Sequence, residues 1–299
     1  MTEQNRRLRV ILFRAAYNLP VTAGVARGVF ARHGLELDIV YTRGSQMVTE
    51  SLVSGDCDLG VMAADDVVYE VESHGRDLFI FMGLHSGILH LIARPEIREA
   101  EQLADGRLGV DDPASGFALV AHRILERMGL PKSSYQTLAM GGHEPRARAL
   151  GEGKIDVALS TPPFSLDLMS RGFNLLARAH DYLPRYQGSC GITTRSWASA
   201  NADVLTAYIR AYRESLAWTL DPANRTAGIT QLGDEFGLAP SLAAQTFDAI
   251  VDPADGLFPD ARIDVPGIQT VLDLRVAAGL LSAPLDPSKY YDAHFLRAS

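Results

Sequence analysis

Apolar residues in this chain come in short runs, and polar stretches with helical spacing separate them in regular alternation. Leu8 to Phe13, Leu37 to Tyr41 and Asp58 to Met62 read as β-strands. Helices are predicted between them, from about Pro20 to His33 and from the Gly44-Ser45 turn to Ser54. Pro20 is tolerated because the first turn of a helix has no use for the N–H that proline lacks. Strands linked in this way by helices run parallel, which lines up their C-terminal ends, and any ligand groups on them, along one edge of the sheet. The long apolar run from Leu78 to Arg94 is broken by Gly83-Leu84-His85-Ser86-Gly87 and stopped by Pro95, so it reads as two strands, the second crossing to another unit.

That other unit repeats the first. Ser51 to Met62 and Ala149 to Ser160 each read as a helix end, a Gly turn, an Asp and a short strand. Leu52, Gly55 and Asp58 fall on Leu150, Gly153 and Asp156, each 98 residues on. Upstream, Arg7-Leu8-Arg9-Val10 matches Arg107-Leu108-Gly109-Val110, and the helices that follow close on Gly34-Leu35 and Gly129-Leu130. Generic helix-end and turn residues account for part of this likeness, but the matched order and near-constant offset favour duplication. The expected fold is α/β with two lobes. The first comprises 1–90 and 190–299, the second 91–189, with strands crossing near 88–94 and 188–195. Helices predicted over 202–220, 226–236, 241–251 and 265–280 would buttress the first lobe. A cleft between two such lobes is a natural place for a small molecule.

Composition narrows the classes. With 299 residues, 47% of them apolar, the chain can build two modest cores. No apolar run approaches the roughly 20 residues that span a bilayer, so membrane insertion is not expected. The net charge of -8 is spread without blocks of one sign, which argues against a nucleic-acid partner. Met1 to Arg7 runs into the first strand without an apolar signal region. As written the protein is expected in the cytoplasm, or in the periplasm if an upstream signal was lost or removed. Cys57 and Cys190 are too few for a disulfide framework or a metal cluster and read as structural. No metal and no cofactor is expected.

Strand ends and helix starts supply the candidate site. In the loop Arg14-Ala15-Ala16-Tyr17-Asn18, Tyr17 offers a ring to stack on a planar ligand or to pack on its own lobe, and Asn18 a donor and an acceptor. Gly44-Ser45-Gln46 opens a helix whose amides and Ser45 hydroxyl suit a carboxylate or sulfonate, although Ser45 serves equally well as an N-cap. Ser115-Gly116-Phe117 offers a second helix start from the opposite lobe. Ala64, Asp65 and Asp66 open a further helix. There an acid can cap the positive end, while a carboxylate facing the cleft would favour an amine or ring N–H. Thr161 holds the matching place in the second lobe. His85 and His143 lie at strand or helix ends, with an imidazole pKa near ~6.5 suited to proton transfer. No nucleophile elbow, phosphate loop, His-Glu-x-x-His or Cys-x-x-Cys pattern is present.

Three stretches together resemble a known family: Asn18-Leu19-Pro20 through Gly34-Leu35, Gly55 to Val61 with Ala64-Asp65-Asp66, and Gly267 to Asp273 with Leu285 to Asp292. The chain is similar to the type 2 periplasmic-binding-protein fold, in particular the nitrate, sulfonate, taurine and pyrimidine-precursor binding components of ABC importers, with thiamine-precursor synthases as relatives. The resemblance implies a solute-binding protein that takes a small planar or anionic molecule, such as a sulfonate, aromatic carboxylate or pyrimidine-like ring, with an ABC permease as partner. It leaves open a cytoplasmic lyase or decarboxylase acting on a small ring acid through His85, Asp65 or Asp66, since one fold serves several functions. Desulfinase relatives place a cysteine in the first-strand loop, where this chain has Ala15, Ala16 and Tyr17, and the cysteine-rich segment of the synthase relatives is missing. Those two activities are set aside. Importer components normally carry an export signal or lipid anchor, so its absence here favours the enzyme, and the missing catalytic pattern favours the binder.

Overall fold

The computed structural model describes residues 5–42, 44–282 and 285–299. Its first unit runs β1 (Arg6–Leu12), α1 (Leu19–Ala26), α2 (Val29–Arg32), β2 (Leu35–Tyr41), α3 (Ser45–Ser54), β3 (Leu59–Ala63), α4 (Ala64–His74) and β4 (Leu78–Gly83). The second runs β5 (His90–Ala93), β6 (Arg107–Val110), α5 (Gly116–Arg127), β7 (Gln136–Ala139), α6 (His143–Gly151), β8 (Val157–Ser160), α7 (Phe164–Ser170), β9 (Asn174–Arg178) and α8 (Ala179–Tyr182). The chain then returns through β10 (Ser189–Thr194) and ends in helices α9 (Arg195–Ala200), α10 (Ala202–Leu220), α11 (Arg225–Phe236), α12 (Pro240–Ile250), α13 (Val265–Ala277) and α14 (His294–Ala298).

The strands form two five-stranded sheets of matching order, β2-β1-β3-β10-β4 and β7-β6-β8-β5-β9. In each, the first three are parallel and the fourth is antiparallel to both neighbours. That fourth strand arrives from the other lobe: β5 enters the second sheet straight after β4, and β10 enters the first after the chain leaves β9 and α8. Both carry a register shift, at Gly191/Ile192 and at Leu91/Ile92. The passages between lobes fall slightly earlier than the sequence suggested, in 84–89 and 183–188, so 90–93 and 189–194 are strands of one sheet each. The two passages touch, with Gly188 N–H donating to the His85 carbonyl at 3.0 Å and Leu84 N–H to that of Ser189 at 3.0 Å.

The duplication extends to side chains. Asp58 accepts the Arg9 backbone N–H at 2.7 Å, and Asp156 accepts that of Arg107 at 2.8 Å. Each arginine also donates from its guanidinium to a turn carbonyl, Gly55 for Arg9 and Gly153 for Arg107. Both glycines sit at positive φ, +79° and +70°, where a side chain would be strained. The clip therefore ties the start of the third strand to the first in both lobes. It also corrects the upstream alignment: Arg9, not Arg7, is the partner of Arg107, and the offset of 98 holds through Val10/Leu108 and Leu59/Val157.

Helices cover both faces of each sheet. One apolar cluster lies beneath α1 and α10 of the first lobe, and a small one beneath α6 and α7 of the second. A third runs continuously from α4, through Ile268, Val271 and Leu272 of α13, to Leu119 and Ile124 of α5. The C-terminal helices thus do more than buttress the first lobe, because α13 packs on α4 and α5 together and α12 reaches α7. The long first helix breaks at Gly28, which adopts φ +68°.

The Arg107 guanidinium holds the Asp156 carboxyl below its ordinary value. A depressed pKa means stability that is present above the unfolded value near ~3.9 and lost as pH falls through the folded one. Asp156→Asn is expected to lose about 1–3 kcal/mol at neutral pH and to approach wild-type stability near pH 3. Denaturant unfolding at the two pH values checks this, and a deficit equal at both would contradict it.

Candidate functional site

Where strand C-termini and helix starts of the two sheets converge lies a cavity of about 540 Å³. From the first lobe it is lined by Phe13, Tyr17, Ser45, Gln46, Thr49, Asp66 and Tyr69, and from the second by Asp111, Ser115, Phe117, Gly141, Gly142, His143 and Arg146. Arg275 of α13 reaches it from the side.

The α4 start decides the roles of the paired acids. Neither caps the helix, because Ala63 is the N-cap residue. Asp65 turns away from the cavity into a bidentate pair with Arg275, both side chains 2% exposed, with Arg275 Nε at 2.8 Å from Oδ1. Two guanidinium donors on two oxygens fit the ionised, acceptor-only carboxylate. Arg275 Nη2 also reaches the Ala114 carbonyl of the second lobe, at 3.3 Å, and its guanidinium lies 5.2 Å from the Tyr69 ring centre. Asp66 faces the cavity. Its only hydrogen bond among the described residues comes from the Ser45 hydroxyl, at 2.5 Å. Ser45 is therefore bound to Asp66 and is not the N-cap of α3, a place held by Gly44.

The second wall is built differently. Ser115 caps α5 by accepting from Ala118 N–H at 3.1 Å, and its hydroxyl donates to Asp111 Oδ1 at 2.5 Å. Arg146, its side chain 2% exposed, reaches that same oxygen from Nη1 at 3.2 Å. Its Nη2 lies 3.0 Å from His143 Nδ1. Because arginine only donates, His143 accepts at Nδ1 and carries its proton on Nε2. Burial, then the Arg146 charge, pushes this imidazole well below its ordinary pKa, so it is a neutral N–H donor. Arg146 Nε is buried without a partner among the described residues. No side chain caps the start of α6 at Gly142.

Several expected residues lie elsewhere. Arg14 points out to α11, donating to the Glu235 carbonyl at 2.7 Å, beside the Phe236 ring. Asn18 is buried and ties its own loop by donating to the Phe13 carbonyl at 2.7 Å. Ala64 is buried with its N–H on the Gly188 carbonyl, and Ala63 lines the cavity instead. Gly116 is where α5 abuts α4, since a Cβ there would lie 2.2 Å from the Asp65 Cβ. Thr161 is wholly buried behind the second wall. His85 is buried between the two passages, accepts from Gly87 N–H at 2.9 Å and sits 4.5 Å from the Tyr17 ring. Burial holds its pKa down to about 3, which removes it from proton transfer near neutrality. Tyr17 both lines the cavity and packs on His85, and burial raises its phenol to about 12. Gln46 lines the rim and donates to Glu50 at 2.9 Å. Arg146, Asp111, Tyr69 and Arg275 were not foreseen. The offset of 98 places Arg146 opposite Val48 and His143 opposite Ser45, and a charge in an apolar slot was the available signal. Among the described residues no cluster of His, Cys, Asp or Glu is arranged to hold a metal ion.

Comparison with known proteins agrees with the architecture. The model of the family described as NMT1/THI5 like matches residues 15–225. No curated protein resembles the chain closely enough in sequence to count as a relative. A protein from Bordetella bronchiseptica RB50 superposes with a TM-score of 0.82 at 19% identity, covering 99% of this chain and 98% of that one. The alkanesulfonate-binding protein SsuA of Xanthomonas axonopodis pv. citri, bound to MOPS, gives 0.78 at 20% identity, covering 95% and 97%. The periplasmic nitrate-binding protein NrtA of Synechocystis PCC 6803 gives 0.83 at 12%, covering 97% and 87%. The fold is that of periplasmic binding proteins.

Burial first, and then the Asp65 and Asp111 carboxylates, push Asp66 up to about 8. The folded protein thus retains a proton that the unfolded chain releases near ~3.9. The raised pKa contributes stability that is full below the unfolded value and lost as pH rises through the folded one. Asp66→Asn, which stays neutral, is expected to flatten that decline and to exceed wild type at about pH 9 by on the order of 1–2 kcal/mol, a few degrees in Tm. Calorimetry between about pH 5 and pH 9 measures it; a difference that does not grow with pH would refute the assignment.

Proposed function

Because the chain belongs to the NMT1/THI5-like family, we propose that it is a solute-binding protein that captures a small organic molecule between its lobes. One observation carries this reading: a cavity of about 540 Å³ whose aromatic rings and polar groups come from both lobes. That volume lies within the range of ordinary ligand sites, roughly 300–1,000 Å³. Hand-over to an ABC permease and a place outside the cytoplasmic membrane belong to the same proposal, supported by structural neighbours that are named as periplasmic binding proteins for a sulfonate and for nitrate. Among the described residues no helix is long and apolar enough to cross a membrane. The lobe boundaries, expected at 1–90 with 190–299 and 91–189, are proposed one residue earlier on the membership of the two sheets, since His90 belongs to the second and Ser189 to the first.

The alternative, a lyase acting on a ring acid, relied on His85, Asp65 and Asp66. Of these only Asp66 lines the cavity. No observation favours that reading.

A panel of aromatic carboxylates, sulfonates and aminated rings, screened by thermal shift, tests the proposal. A true solute at a hundredfold excess over Kd is expected to stabilise the protein by about 2.7 kcal/mol and to be recovered unchanged by mass spectrometry. Tyr69→Ala and Phe117→Ala, on opposite walls, should each weaken it roughly tenfold. Conversion of the solute, or sensitivity to one wall alone, would sink the reading.

A further inference from the structure

The two walls of the cleft are twins in backbone and opposites in chemistry, and this difference bears on what the cleft takes. The start of α3 has a carboxyl group built against it, because Ser45 on its first turn donates to Asp66. The start of α6 is its duplicate, with Gly142 and His143 lying 98 residues after Gly44 and Ser45. The residue that matches Asp66 is Phe164, on the first turn of α7. The second helix start therefore lacks the carboxylate its twin possesses. Its first-turn amides at His143 and Glu144, Pro145 having none, together with the His143 Nε2–H and the buried Arg146, offer donors at the cavity wall.

Of the other charged groups on the lining, Glu70 pairs with His74 at 3.1 Å and with Arg76 at 3.8 Å, and Glu50 accepts from Gln46 at 2.9 Å. Arg275 is bound to Asp65 and the Ala114 carbonyl, and Asp111 Oδ1 takes Ser115 and Arg146. Asp112 Oδ1 accepts from Ala114 N–H at 2.8 Å. Asp66 has no cationic partner among the described residues. A bare anion such as a simple carboxylate would satisfy the donor wall and leave Asp66 facing it across the cleft.

We propose that the solute has two unlike ends on one ring. An N–H-donating nitrogen, an amine or aminated heterocycle, lies against Asp66. A carboxylate or other anionic group lies against the Gly141-Gly142-His143 helix start and Arg146. The ring stacks beside Tyr69 and Phe117. This rests on the solute-binding reading and deepens it: Asp66 becomes the residue that separates aminated acids from plain ones.

Isothermal titration of the full chain at about pH 9, where Asp66 has given up its proton, with 4-aminobenzoate, benzoate and 4-aminobenzamide tests the assignment. Each end adds its own hydrogen bonds, so the aminated acid is expected to bind at least about tenfold more tightly than either probe lacking one end. Asp66→Leu, which removes the acceptor, should bring 4-aminobenzoate to the level of benzoate while benzoate binding is unchanged or improved. If wild type binds benzoate as tightly as 4-aminobenzoate, the role of Asp66 is overturned and solute binding stands. If none of the three binds, the two-ended assignment is overturned, and the broader panel still judges the solute-binding reading. The wild-type comparison decides the matter even if the leucine variant does not fold.

Discussion

Asp65 and Arg275 meet in the interior with both side chains 2% exposed, and the cleft takes its form around that ion pair. Arg275 rides on α13, a helix packed on both α4 of the first lobe and α5 of the second. Its further bond to the Ala114 carbonyl fixes the loop that leads into α5. Gly116 then sits so close to Asp65 that only the lack of a side chain admits it. Burying two charges is costly, and such a pair is weak evidence for stability in itself, yet removing one partner typically costs about 3–5 kcal/mol because it strands the other. Its consequence is positional: it orients the two helix starts and draws Asp65 out of the cavity. Asp66, the next residue along α4, is left as the acid that faces it.

The duplicated scaffold could be read from the chain because its signals are local. A helix end, a glycine at positive φ and an aspartate that accepts the first strand's N–H recur at one spacing, and each has a backbone reason to be there. The two-residue slip that matched Arg7 with Arg107 has an equally physical source. Side chains alternate with period two along a strand, so a shift of two residues leaves the buried and exposed faces unchanged. Only the Arg9–Asp58 contact breaks the tie. The exchange of fourth strands between lobes had a weaker signal, since an apolar run does not say which sheet receives it.

The site was harder, because adjacent loop residues diverge. The first-strand loop sends Tyr17 to the cavity, Asn18 to its own backbone and Arg14 to α11. Composition and spacing carry no information on that divergence. The same holds at α4, where a helical step of about 100° separates a structural carboxylate from one that lines the cleft. His85 looked suited to proton transfer by type alone. Its place between the two passages, with one nitrogen on Gly87 and burial on every side, makes it a structural residue there.

Where the repeat fails is where the chemistry lies. Most matched positions keep their character, as Leu52 does with Leu150, Gly55 with Gly153 and Asp58 with Asp156. Positions that line the cavity do not: Ser45 corresponds to His143, Arg146 to Val48, Phe13 to Asp111 and Asp66 to Phe164. A duplicated fold would by itself give two equivalent helix starts, both donors, and a cleft selective for anions of either orientation. Setting a carboxylate on one and a buried arginine beside the other makes the two walls chemically distinct. A molecule bridging them must then match each at its own end, and it is held in one orientation.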